Sequence, residues 1–120
     1  RNMRRAAVPL AFLAITGCSE ASFVERPEAK EGIAAAAPII VAVEQYRAGY
    51  GSYPPSMDTV PIQSGIRKHA NSKGIRYVAL NHVNGYTVSF DFPVPPLRPQ
   101  CTYGKLENQS KPSDWQCTGK

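Results

Sequence analysis

A chain of 120 residues, 42% hydrophobic and 19% charged, holds one small domain. Its formal net charge of +5 is misleading, because Arg1, Arg4 and Arg5 stand at the very start, and the residues from Cys18 onward carry 11 basic side chains against 9 acidic ones. A net of about +2 is no electrostatic footprint for nucleic acid, so that class of partner is excluded.

The first segment is a signal. Arg4 and Arg5 precede an apolar run of 11 residues, Ala6 to Thr16, that ends in Ile15-Thr16-Gly17-Cys18. A positive patch, an apolar run too short to span a bilayer and a small-residue stop are the parts of a secretory signal peptide. With a cysteine directly after the small residues, the stretch resembles the lipobox of bacterial lipoproteins. The resemblance implies that residues 1–17 are removed, that Cys18 is acylated and that the membrane is the first partner, held through that anchor. Ser19, standing where aspartate would retain a lipoprotein at the inner membrane, implies the outer membrane, facing the periplasm. An exported chain permits disulfides. With Cys18 taken by lipid, Cys101 and Cys117 remain as a pair. The loop of about 15 residues that they close is worth roughly 3 kcal/mol of chain entropy.

Residues 18–28 are mixed and polar and predict a lipidated tether; residues 29–120 form the globular domain. A helix is predicted from Pro27 or Glu28 to Ala48. Ile39, Val43, Tyr46 and Tyr50 recur at spacings of four, three and four, with Ile33, Ala36 and Ile40 on the flank of that stripe and Glu44, Gln45 and Arg47 facing away. Pro38 inside the run either kinks the helix or begins a new one; the alanines before it favour one kinked helix. Gly49 or Gly51 ends it. Tyr50 to Met57 is a turn-rich corner in which Ser56 caps a short turn carrying Met57 and Val60. Pro61 to Lys73 reads as polar and irregular.

The remainder reads as an antiparallel sheet. Gly74 to Leu80 is a strand, and Asn84-Gly85 is a hairpin signal. Tyr86, Val88, Phe90 and Phe92 alternate with Thr87, Ser89 and Asp91, the period of a half-buried strand. The prolines from Pro93 to Pro99 form a stiff connector. Cys101 to Leu106 and Trp115 to Thr118 are the last strands. The fold class is therefore α+β: one long helix packed on three or four antiparallel strands.

Tyr46 to Pro55, running Tyr-Arg-Ala-Gly-Tyr-Gly-Ser-Tyr-Pro-Pro, resembles the helix-to-loop junction of type IV pilins and type II secretion pseudopilins. The pair Cys101 and Cys117 near the carboxy terminus is similar to the disulfide-bonded end of type IV pilins. Filament-forming members share a long hydrophobic amino-terminal helix, whereas the apolar segment here stops at Gly17-Cys18. The resemblance thus implies a pilin-like globular domain on a lipid anchor, with a protein partner in a secretion or pilus assembly, rather than a major filament subunit.

No constellation for catalysis stands out. His69 and His82 lack cysteine or carboxylate partners at metal-ligand spacing and are expected in surface loops. No Gly-x-Ser-x-Gly and no glycine-rich phosphate loop is present. The sequence predicts a non-enzyme without cofactor or metal. Arg67, Lys68, Lys73 and Arg76 make a basic cluster suited to acidic head groups or an anionic envelope polymer. Tyr46, Tyr50 and Tyr77 are expected in the core, Tyr53 and Tyr103 at the surface, and Trp115 against the disulfide. The candidate ligand or partner surface is Tyr53, Arg67, Lys68, Arg76, Tyr103 and Trp115. These expectations describe an envelope lipoprotein with a structural or interaction role, or alternatively a periplasmic module that binds a small ligand or glycan.

Overall fold

The computed structural model describes residues 21–80 and 82–119. The signal-like stretch 1–17 and Cys18 lie outside the described residues. In chain order the elements are α1 (Ala21–Val24), α2 (Pro27–Tyr50), a 3-10 turn (Met57–Thr59), α3 (Ser64–Ser72) and the strands β1 (Arg76–Leu80), β2 (Gly85–Asp91), β3 (Gln100–Lys105) and β4 (Ser113–Thr118). The strands form one antiparallel sheet in the order β1-β2-β3-β4, with α2 laid across one face. The class is α+β, as the periodicities imply.

α2 starts with Pro27 at its first position, where the missing N–H costs nothing. It passes through Pro38 as a single element, so the alanine-rich flanks prevail over the lost hydrogen bond. Of the two glycines that could end it, Gly51 does so. It adopts φ 84° and its N–H donates to the Arg47 carbonyl at 2.8 Å, a backbone state that costs a side-chain-bearing residue dearly. Ala29, Gly32, Ala36, Ile39 and Val43 form the buried stripe. Gly32 is there for a packing reason: a Cβ at this position would overlap the Phe90 ring, which lies directly on the helix backbone.

The inner face of the sheet is read from the register. Tyr77 pairs with Val88 and Val88 with Tyr103; Tyr86 pairs with Lys105; Phe90 pairs with Cys101 and Cys101 with Cys117. Toward one end of α2, Ala29, Phe90, Phe92 and the two cysteines pack with Phe23, Val24 and Ile33. Toward the other, Ala36, Ile39, Val43, Tyr53, Tyr86 and Val88 pack with Ile66 and Tyr77. Trp115 touches both groups, and so lies beside the disulfide as expected. Cys101 and Cys117 are bonded to each other.

Several expectations are corrected. Residues 64–72 are not irregular: Ile62, Ile66 and Ala70 recur every fourth residue, and α3 turns Ile66 and Ala70 onto the core in spite of weak helix formers. His69 is therefore on a helix, exposed. The hairpin turn is not centred on Asn84-Gly85. The chain reverses between Leu80 and Gly85, with positive φ at His82 (56°) and Val83 (65°), and Gly85 already belongs to β2. Val83 is held in this unfavourable state by the Tyr53 N–H, which donates to its carbonyl at 3.0 Å. Ala21–Val24, within the stretch read as a tether, form α1.

Tyr50 and Tyr53 exchange their expected roles. Tyr50 is 74% exposed and leans on Tyr46, ring centroids 4.4 Å apart, while Tyr53 is 2% exposed. The left-handed Gly51 reverses the chain, and the bond to Val83 then draws Tyr53 beneath the sheet, into the place that helical spacing assigns to Tyr50.

Candidate functional site

Polar groups gather between the C-terminal half of α2 and the inner face of the sheet, around Glu44. The Tyr86 hydroxyl donates to Glu44 Oε2 at 2.8 Å. Glu44 is half-buried rather than facing away. The sequence signal was available: Glu44 is four residues beyond Ile40 and so continues the flank of the apolar stripe. Tyr53 packs on Tyr86 at 4.8 Å between ring centroids, and Tyr77 stacks on Tyr86 at 5.8 Å. The Arg47 guanidinium lies 5.3 Å from the centre of the Tyr53 ring and the Lys105 ammonium 5.8 Å from it. Lys105 is only 9% exposed; its Nζ donates to the Leu106 carbonyl at 3.3 Å. It was missed too, although its two-residue spacing from Tyr103 and Cys101 puts it on the inner face.

This environment holds the phenols protonated. Burial raises Tyr86, reinforced by its hydrogen bond to Glu44 and by that carboxylate's charge. Burial also raises Tyr77, with neighbouring Tyr53 and Glu44 adding to it. Tyr53 is raised by burial and then by Glu44, with Arg47 pulling the other way, and Tyr103 is raised by burial and then by Glu44 and Asp114. An unfolded chain ionises each phenol near 10.0. Stability from these groups is therefore whole below that pH and is lost as pH climbs through and beyond it. The expected outcome is a melting temperature that falls steeply above pH 10, with tyrosinate absorbance at 295 nm rising together with unfolding. Phenolate formation by Tyr86 and Tyr77 in a chain that keeps its native circular dichroism would contradict it.

The six residues of the expected surface do not form one patch. Tyr53 is buried in the cluster just described. Tyr103 packs on Trp115, ring centroids 5.5 Å apart, and Trp115 lies 5.5 Å from Phe90, so both belong to the helix-facing side of the sheet. Arg67 is a structural tie: its guanidinium donates to the Met57 carbonyl at 3.3 Å and the Val60 carbonyl at 3.0 Å, fixing the 3-10 turn to α3. A small cavity of about 30 Å³ lies between Ile39, Met57, Arg67, Ala70 and Tyr77. Lys68 is exposed on α3. Arg76 sits across the sheet, 4.0 Å from Asp91, which also receives Arg98 at 3.2 Å; Lys73 pairs with Glu31 at 2.9 Å. The basic cluster is thus dispersed: Arg67 is tied to backbone carbonyls, Lys73 and Arg76 face different carboxylates, and Lys68 is exposed.

The outer face of the sheet, opposite α2, differs in chemistry. Arg76, Ser89, Thr102 and Gln116 align in one row across all four strands. Beside them Thr87, Thr102, Gln109, Ser113 and Gln116 border an open groove of about 170 Å³, floored by Gly104. Among the described residues, no group of three or more His, Cys, Asp or Glu side chains is placed to hold a metal, and no helix is long and apolar enough to cross a membrane. No protein-family model, curated protein or solved structure matches the chain.

Proposed function

We propose that this protein is a membrane-anchored envelope lipoprotein whose pilin-like domain serves a structural or interaction role, as an accessory to secretion or pilus machinery. The observation that carries the reading is the run from Arg4 to Cys18, in which charge, apolar length, small residues and cysteine fall in lipobox order. The pilin-like part of the reading is supported by the long α2, the junction at Tyr46 to Pro55 and the disulfide tying β3 to β4. Burying acyl methylenes is worth about 0.8 kcal/mol each, so two or more chains make attachment stable.

Expression of the full chain in a lipoprotein-processing bacterium tests this. Mass measurement should find the amino terminus at Cys18 with acyl chains added, and globomycin should leave residues 1–17 attached. Cys18→Ala should move the protein from the membrane fraction to the soluble one. A mature protein with a free Cys18 thiol in the wild type would remove the reading.

The groove on the outer face favours a second reading, a periplasmic module for a glycan or small ligand. Its hydroxyl and amide side chains suit sugar hydroxyls, and it replaces the aromatic surface expected from Tyr53, Tyr103 and Trp115. Amide shifts at Thr102 and Gln116 on addition of envelope oligosaccharides would support it; shifts nowhere on this face would dismiss it.

A further inference from the structure

The end of the domain that holds α1 carries an exposed apolar tip. Phe23 of α1 and Leu97 converge over Gly119, where an added Cβ would stand 3.0 Å from the Phe23 ring and 3.6 Å from Leu97 Cδ1. Leu97 belongs to a turn closed on itself: the Val94 N–H donates to the Leu97 carbonyl at 2.8 Å, and the Leu97 N–H to the Val94 carbonyl at 2.6 Å. Pro95 and Pro96 fill the turn, both exposed, and Leu97 is 41% exposed. Proline fixes φ, so the tip is a stiff apolar knob that loses little freedom on binding. Among the described residues near it, Arg98 pairs with Asp91 at 3.2 Å and Arg26 with Glu28 at 3.5 Å.

The distance to the anchor is short. Cys18 is three positions before Ala21, a stretch that fully extended spans at most about 11 Å. The rise of α1 adds about 3 Å to Phe23. Acyl chains on Cys18 therefore enter the bilayer within about 15 Å of the contact between Phe23 and Leu97. α2 carries the chain away from this end; its 24 residues extend about 36 Å to Tyr50.

We propose that Pro95, Pro96 and Leu97 form a second membrane contact, seated at the boundary of head groups and acyl chains beside the anchor, so that the domain stands on the bilayer in one orientation with Tyr50 remote from it. The proposal rests on the lipoprotein reading and adds a surface to it. Because Pro95, Pro96 and Leu97 carry no charge, their own contact with the bilayer is apolar and holds at low and at high salt.

The test uses the acylated full chain in phosphatidylethanolamine–phosphatidylglycerol vesicles that contain lipid brominated in its acyl chains. Leu97→Trp and Tyr50→Trp are compared with wild type, whose Trp115 supplies the background. Circular dichroism first establishes that each variant keeps the native fold. Leu97→Trp should lose emission beyond the wild-type loss, unchanged by salt, and Tyr50→Trp should match wild type. A vesicle-bound, acylated Leu97→Trp protein with no added quenching overturns the contact and leaves the anchor standing. Equal quenching of the two variants overturns the fixed orientation. A mass without acyl chains removes the lipoprotein reading itself, and this proposal with it.

Discussion

Replacing both Cys101 and Cys117 with serine lowers the stability of the domain by about 2–5 kcal/mol. The bond joins directly paired residues of β3 and β4, 16 positions apart in sequence. Its weight comes from where it sits. β4 is an edge strand, paired on one side only, and its register with β3 shifts between Thr102 and Gly104. Held by half a ladder with an irregularity in it, β4 depends on the link to stay docked. It carries Trp115, which covers Phe90 and Tyr103. In a domain whose total stability is of order 5–15 kcal/mol, the loss is a large fraction. Denaturant titrations of oxidised wild type and the double variant measure it, with Trp115 emission as the probe. Coincident midpoints would show that β4 holds without its staple.

Phe90→Ala is the second large effect, with an expected loss of about 3–5 kcal/mol. The ring is 2% exposed and fills the space bounded by Phe92, Trp115 and the backbone of α2 at Gly32. The partnership with Gly32 makes the expectation sharper. In wild type, Gly32→Ala drives a methyl into the ring and destabilises through overpacking, by about 1–3 kcal/mol before a helix-propensity gain of about 1 kcal/mol is set against it. In the Phe90→Ala background the collision is gone, the methyl occupies part of the vacated volume, and the propensity gain remains. Gly32→Ala should there become stabilising. A double-mutant cycle by thermal or urea unfolding reads the coupling; strictly additive effects would show that Gly32 is not the seat of the ring.

The parts of this fold legible in the sequence were those with an uninterrupted period. The alternation from Tyr86 to Phe92 gave β2 and its buried face, and Ile39 and Val43 gave the core stripe of α2. Extrapolating that stripe to Tyr50 failed, because the helix outruns the sheet and the chain reverses at Gly51 before burying Tyr53. That reversal depends on a hydrogen bond to Val83, thirty residues on, which no local pattern encodes. α3 was hidden by Gly65, Asn71 and Ser72, poor helix formers whose preferences are overridden once Ile66 and Ala70 have a surface to cover. At the candidate site, Tyr53 and Tyr103 were expected at the surface, whereas Tyr53 is buried and Tyr103 packs on Trp115 on the helix-facing side of the sheet. Glu44 and Lys105 were passed over because charge suggests exposure, whereas each finds local partners, a phenol hydroxyl for one and a carbonyl and a ring for the other.

The strand order has a bearing on biogenesis. Because every strand lies beside its predecessor, no segment must be threaded between two others, and the sheet can grow in the order in which the chain emerges. A polypeptide delivered amino terminus first through a translocation channel, as the lipoprotein reading requires, would have α2 waiting as a template when the first hairpin closes. Cys101 and Cys117 arrive last, already brought face to face by the final hairpin, which leaves little opportunity for either thiol to be captured by a wrong partner.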